Sequence, residues 1–504
     1  MERQLQLQLN KLEKWANENG FRFSPSKTVA VHFSRSGRDV LQPDLKLYRE
    51  RIPVKDQARF LGLIFDKKLT FKPHIQDLRV RCQKALNLLK ILSHPEWGGD
   101  SKHLLQLYCS LVRSRLDYGS QVYGSAKPHI LKLLDPVQNQ GLRLALGAFR
   151  TSPVESLQAE ANIPSLELRR KQLSLHYAVK QSSTPNCPAH DCVFKTSLGI
   201  KTKCNNNDKL VRPFGLRVLE DLDSLEFSKE DTEKFLFHTL PPWHLTKANI
   251  DLDLTKHNKS CTDKETYKTA YRHLIRKHPN TETIFTDGSK TDTAVGAAAF
   301  SRNSTQQKRL HPEASIFSAE ATAIDMALDS VEKSSKSKFL ILSDSLSCLS
   351  SLNNLTQTNP KITKLQLKIH TLAEQRKDIT LAWLPSHVGI RGNERVDLLA
   401  KESLSLPLGP TTNSLPQTDF KHKVKIYTSR LWEEHWKKQI INKLQNIMPK
   451  LGPRNPSGLS RRDEVKFTRL RIGHTSLTHK YLLQGEEKPF CVGCNTDFTV
   501  RHIW

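Results

Sequence analysis

Apolar residues recur at helical spacing at Leu5, Leu9, Leu12 and Ala16, which predicts an amphipathic opening helix that Gly20 can end. Residues 29–33 and 59–66 (RFLGLIFD) read as short strands. Residues 74–93 and 101–118 read as basic amphipathic helices. Residues 181–208 are rich in Ser, Thr, Pro, Asn and Lys, the composition of a linker or exposed loop. From Thr262 the pattern tightens. Thr262 and Glu265 have capping-box spacing, and the helix they introduce aligns Tyr267, Tyr271 and Leu274. Strands are predicted at 283–286, ending at Asp287-Gly288, and at 295–300. A helix at 318–333 and a buried strand at 338–343 follow. A helix over 361–376 turns Ile362, Leu365, Ile369 and Leu372 inward, and a strand covers 379–384. The last helix begins after Asn393, which is read as its cap. This alternation predicts an α/β unit with a parallel or mixed sheet and helices packed on it. A Pro-rich break over 404–415 closes it. A helix near 419–445 then keeps Phe420, Val424, Tyr427 and Leu431 in register.

The pattern divides the 504 residues into four segments: 1–180, a linker and adaptor at 181–279, the α/β unit at 280–406, and a helical tail at 407–504. Charge adds a partner to this picture. Lys and Arg number 78 against 51 Asp and Glu, a formal net charge of +27 spread along the chain. Such a field attracts polyanions, so nucleic acid is the expected partner. Nine irregularly spaced cysteines imply no disulfide framework and suit a reducing compartment. No apolar run reaches the roughly 18 residues of a membrane span, and the polar start does not read as a signal peptide. The expectation is an intracellular protein, nuclear or cytoplasmic. Cys187, His190, Cys192 and Cys204 share a loop, at a spacing that matches no standard zinc site.

Four carboxylates occupy unusual places in the α/β unit. Asp287 and Asp344 follow strands, where ligand sites of open α/β sheets gather. Glu320 continues the core-facing stripe of Ile324, Leu328 and Val331, and Asp397 lies beside Val396 and Ala400 on an inward helix face. Each alone reads as a turn, cap or solvated group, but the four together do not. Crowded carboxylates raise one another's pKa, and divalent cations cancel that strain. An all-oxygen set selects Mg²⁺ or Mn²⁺ over Zn²⁺, and two such ions can clamp a phosphodiester.

The residues TDGSK (286–290), AEATAIDMAL (319–328), LSDSLSCL (342–349) and WLPSHVGIRGNERVDLLAK (383–401) resemble, in order, the four signature blocks of the ribonuclease H family. The resemblance implies metal-binding roles for Asp287, Glu320, Asp344 and Asp397 and a ribonuclease H-like mixed sheet with flanking helices. It also implies that His387 helps protonation and product release. The implied reaction is hydrolysis of the RNA strand of RNA–DNA hybrids, leaving a 3′-hydroxyl and a 5′-phosphate. Selectivity for RNA needs contact with 2′-hydroxyls, for which Gly288-Ser289 and the helix start at Asn393 are the candidates.

The flanks carry a second resemblance. LNKLEKWANENGFRFSPSKTVAVHF looks like the segment after a reverse transcriptase's catalytic Asp-Asp turn, and RFLGLIFDKKLTFKPHI like the stretch leading into its thumb. The order resembles a jockey-like non-long-terminal-repeat retrotransposon polyprotein of arthropods, with a mostly helical palm-end and thumb region ahead of the nuclease. The Asp-Asp turn itself is not in this sequence, so polymerisation is not expected from this chain alone. In the tail, Cys491, Cys494 and His502 begin a pattern like a zinc knuckle. A tetrahedral zinc needs a fourth ligand, for which His474 and His479 are candidates. The rival reading is a catalytically silent nucleic-acid-binding remnant.

Overall fold

The computed structural model describes residues 2–34, 43–195, 212–235, 240–257, 261–356, 359–409, 414–453 and 458–502. It forms two compact units, each built from separated stretches of chain. One comprises 1–174, 197–217 and 428–504, and the other 175–196 and 218–427. No described helix is long and apolar enough to cross a membrane.

The second unit holds a six-stranded mixed sheet. Its strands are β1 (Asn249–Asp251), β2 (Glu282–Lys290), β3 (Val295–Phe300), β4 (Thr305–Leu310), β5 (Lys338–Ser343) and β6 (Asp378–Trp383). They lie in the order β1-β6-β5-β2-β3-β4. The run β1-β6-β5-β2 is parallel, and β2-β3-β4 is an antiparallel meander. The unbroken apolar run Phe339–Leu342 suits β5's central position, buried on both faces. Small residues in β3 (VGAAAF) let helices approach closely. Five helices flank the sheet: α1 (Lys264–Lys277), α2 (Ile316–Lys333), α3 (Leu346–Leu352), α4 (Pro360–Glu374) and α5 (Arg391–Glu402). Helices α1 and α5 share a core with Phe285, Ala298, Leu340, Leu342 and Ala382. On the other side, α2 packs on β2, β3 and α4.

Several local expectations change. Residue 287 does not end its strand, because β2 runs on to Lys290. The antiparallel partner β3 continues the pairing where the parallel partner β5 stops at Ser343. The polar strand β4 (TQQKRL) had no apolar alternation to announce it and pairs through its backbone at the sheet edge. Helix α1 is capped by Asp263, which accepts from the Thr266 N–H, one residue later than predicted. Asn393 is not a cap, because α5 starts at Arg391 after Ile390; Asn393 is buried two residues inside. The sheet also recruits β1, from the segment read as an adaptor.

In the first unit, RFLGLIFD is a hairpin rather than one strand. Gln57–Phe60 and Leu63–Asp66 pair around Leu61-Gly62, with Gly62 at φ +82°. Residues 29–33 form only a single bridge, Ala30 to Val54. Helices Lys72–Leu92, Ser101–Tyr108, Asp135–Leu146 and Val154–Ala161 enclose a core that includes Ile75, Leu86, Tyr108 and Leu142. Trp436, Leu444 and Ile472 complete that core. Buried Glu464 accepts the Ser101 N–H at 2.8 Å, and Arg471 pairs with buried Glu160 at 3.1 Å. In the second unit, the Pro/Ser-rich stretch predicted as loop contains the helix Pro188–Phe194, with His190 buried against Phe194; Cys204 lies outside the described residues.

Candidate active site

Asp287 stands where β2 outruns β5. Its neighbour Thr286 pairs with Ser343, so Asp287 and Asp344 emerge side by side at the end of the parallel ladder. Pleat alternation puts Asp287 on the face of Phe285, which α5 covers, and turns residue 288 the other way. Only glycine fits there. A Cβ at 288 would lie 2.9 Å from both the Ala319 Cβ and the Glu320 N, so the missing side chain lets α2 approach and brings Glu320 to the strand. One carboxylate oxygen from each of Asp287, Glu320 and Asp344 falls within 4.8 Å of the others. Asp287 and Glu320 are buried, and Asp344 is half-buried.

The electrostatics follow from this crowding. Burial first, then the charges of Asp344 and Asp397, push the Asp287 pKa up to about 8, with the Gly288 N–H opposing. Burial, then Asp344 and Asp287, lift Glu320 to about 9. The buried Glu320 Oε2 has no hydrogen-bond partner among the described residues. A buried polar atom without a partner is costly, and it needs an explanation such as an ion.

Asp397 and His387 meet in a second group. With Glu394, they place ligand atoms within 4.8 Å of one another. Asp397 is half-buried and tied to Lys401 at 2.7 Å. Its charge reaches Asp287, so the two groups are electrostatically joined. His387 is exposed on a tight turn at φ +59°, followed by Gly389 at φ +82°. The Gly389 N–H donates to Glu394 Oε1 at 3.1 Å, which ties the turn to α5. Sequence reasoning passed over Glu394. Its signal was its place three residues before Asp397, one turn away on the same helix.

In the tail, Phe490–Cys491 and Thr496–Asp497 form a small hairpin that brings together Cys491, Cys494 and His502, with ligand atoms within 4.8 Å. The Cys494 and Gly493 N–H groups hold the Cys491 thiol below its ordinary pKa. His474 and His479 do not join this group among the described residues. They stack on each other with ring centroids 3.6 Å apart, and burial, the leading cause, lowers them to about 3 and about 4. Cys187, His190 and Cys192 form no metal-ligand group among the described residues.

The RNase H family model matches residues 279–405. The chain is 27% identical over 139 residues to a probable RNA-directed DNA polymerase from transposon X-element of Drosophila melanogaster, covering 27% of this chain and 15% of that protein. It is 25% identical over 172 residues to a putative 115 kDa protein in type-1 retrotransposable element R1DM of the same species, covering 34% and 17%. It is also 25% identical over 182 residues to the RNA-directed DNA polymerase from mobile element jockey, covering 36% and 20%. These matches therefore span a fifth or less of the relatives' lengths. A crystal structure of RNase H1 from Halobacterium salinarum aligns at 22% identity over 25% of this chain and 98% of that one, with a TM-score of 0.21.

Proposed function

Because residues 279–405 form an RNase H domain in a relative of non-long-terminal-repeat retrotransposon polyproteins, we propose that this chain hydrolyses the RNA strand of RNA–DNA hybrids with two Mg²⁺ ions. The observation that carries this reading is the convergence of Asp287, Glu320 and Asp344, with an unpartnered, buried Glu320 oxygen inside it. The donor set fits hard divalent ions. It is all oxygen, and it is strained without a cation. Asp287, Glu320, Asp344 and Asp397 would hold the ions, with Mn²⁺ able to substitute. When bound, the ions supply Lewis acidity to the phosphodiester and to an attacking water.

The protein's own groups do the rest. Asp287 belongs to the trio and also feels the Asp397 charge, so it is the carboxylate placed to serve both halves of the site. His387 projects from its turn beside Glu394 and Asp397, where it can hand a proton to the departing 3′-oxygen. The strand at Gly288-Ser289 and the first turn of α5 offer the polar groups that distinguish a 2′-hydroxyl. Net charge of +27 draws the duplex in. A separate metal reading concerns the tail: Cys491, Cys494 and His502 supply three ligands for Zn²⁺.

The test uses a labelled hybrid. The full chain should cleave it with Mg²⁺ and stop on chelation. Asp344→Asn should lower the rate by at least about a hundredfold, since even outer-sphere changes cost 10–100-fold. Undiminished cleavage by that variant, or by protein stripped of divalent ions, would overturn the assignment. Salt-sensitive binding without cleavage under any divalent ion would support the silent-remnant reading instead.

A further inference from the structure

Helix α1 lies before the segment that matches the RNase H family, yet it is built into the site's wall. Tyr267 and Leu274 are buried in the same cluster as Val388 and Ile390, which bracket the turn after His387. The Tyr267 hydroxyl donates to the His257 carbonyl at 2.7 Å, fixing the start of the helix. The next residue, Lys268, reaches the turn itself. A Cβ at Gly389 would lie 3.0 Å from Lys268 Cε and 3.4 Å from Nζ. Gly389 in turn donates to Glu394, which groups with His387 and Asp397. The Lys268 ammonium is thus one turn residue away from the acidic groups.

A site of five carboxylates repels the phosphates on either side of the bond it is to cut. Metal ions can offset this at the scissile phosphate, but flanking phosphates need fixed cations. Lys401 is engaged by Asp397 at 2.7 Å. Lys268 has Glu265 as its ion-pair partner, on the same helix and 70% exposed. An exposed pair of this kind contributes little, so exchanging Glu265 for a phosphate is easy.

We propose that Lys268 grips a backbone phosphate of the bound duplex at the rim beside the His387 turn, extending the substrate surface onto a helix outside the RNase H segment. This rests on the nucleic-acid substrate assigned above, and it is testable apart from cleavage. The full chain and its Lys268→Ala, Lys268→Glu and Lys268→Arg variants would be compared in two assays. One is fluorescence anisotropy of a labelled RNA–DNA hybrid across a salt series without divalent ions. The other is steady-state cleavage with Mg²⁺. Arg276→Ala is the control. It removes one exposed charge from the same helix, about 12 Å further along at 1.5 Å per residue.

Lys268→Ala should flatten the slope of log affinity against log salt by about one counterion. It should raise KM about twofold to fivefold, the reach of one surface phosphate contact, with kcat held within about twofold. Lys268→Glu should do worse, Lys268→Arg should restore the slope, and Arg276→Ala should match wild type. A slope and KM in Lys268→Ala and Lys268→Glu equal to those of the control overturn the proposal. A wild-type chain that never cleaves, but whose salt slope still falls in Lys268→Ala, sinks the nuclease reading and supports the contact.

Discussion

Replacing Glu320 with Gln should make the metal-free protein more stable while removing its response to Mg²⁺. Glu320 is raised from 4.5 to about 9, chiefly by burial and then by Asp344 and Asp287. The sign follows from linkage. Between those two values the folded state holds a proton that the unfolded state has released, so this group's contribution is intact below about 4.5 and is lost as pH rises toward about 9. The loss runs at about 1.4 kcal/mol per pH unit, so it reaches roughly 3 kcal/mol at pH 7 and roughly 6 kcal/mol above pH 9. Gln has nearly the same shape and no charge to bury. Its own unpaired amide takes back about 1–3 kcal/mol. A net gain of about 1–2 kcal/mol at pH 7 is expected, larger at pH 9 and absent at pH 5. Urea unfolding in chelator, read by hydrogen exchange in peptides from α2 and β5, reports the sheet unit separately. Millimolar Mg²⁺ should then reverse the order, because only wild type gains binding free energy in the folded state. A variant less stable than wild type in chelator at pH 9, or a difference flat from pH 5 to pH 9, would refute the reasoning.

Other outcomes follow from the same geometry. Mg²⁺ binding near pH 7 should release about one to two protons per chain, because Asp287 and Glu320 titrate near 8 and 9 without metal; release should vanish above pH 10, and its absence at pH 7 would contradict the assigned burial. Gly392→Ala should lower the sheet unit's stability by about 1–3 kcal/mol, since its Cβ would stand 2.2 Å from the Phe285 ring. An unchanged urea midpoint would count against that packing. The 504-residue chain should retain about one equivalent of Zn²⁺ by mass spectrometry, with Co²⁺ giving thiolate charge-transfer bands that Cys491→Ser abolishes. A metal-free tail that shows no bands would remove the site.

Much of the site was legible because its residues break local rules. Glu320 interrupts an apolar helical stripe, and Asp344 closely follows the apolar run Phe339–Leu342, so both stand out in a single sequence. Asp287 and Asp344 were each read as an acid at a strand end, which the structure keeps for Asp344 alone. Tertiary facts were not legible. Asp287 lies mid-strand because β3 carries the ladder past β5, and nothing local to residues 286–290 says so. Strand β4 is polar up to its buried last residue, Leu310, and its Gln306 and Gln307 side chains bond to α2 and α5, so periodicity had nothing to detect. Asn393 has the composition of a cap but sits inside a helix that begins at Arg391. Glu394 looked like an ordinary exposed helix residue until the turn at Gly389 folded back onto it.

The two side-chain groups differ in how much they depend on a helix outside the matched segment. The trio rests on regular elements: β2, α2 and the end of β5 fix its three carboxylates, and Gly288 sets the spacing between strand and helix. The second group depends on a turn in which His387 and Gly389 both take left-handed backbone conformations. Such a conformation is unfavourable for a histidine and persists only when its surroundings impose it. Those surroundings are buried Val388 and Ile390, Glu394, which accepts from the Gly389 N–H, and Tyr267 of α1 in the same core. Removing α1 would therefore free the His387 turn and uncover the core it shares with β2 and β5. The helix is packed into the same core even though the match to the RNase H family model begins after it.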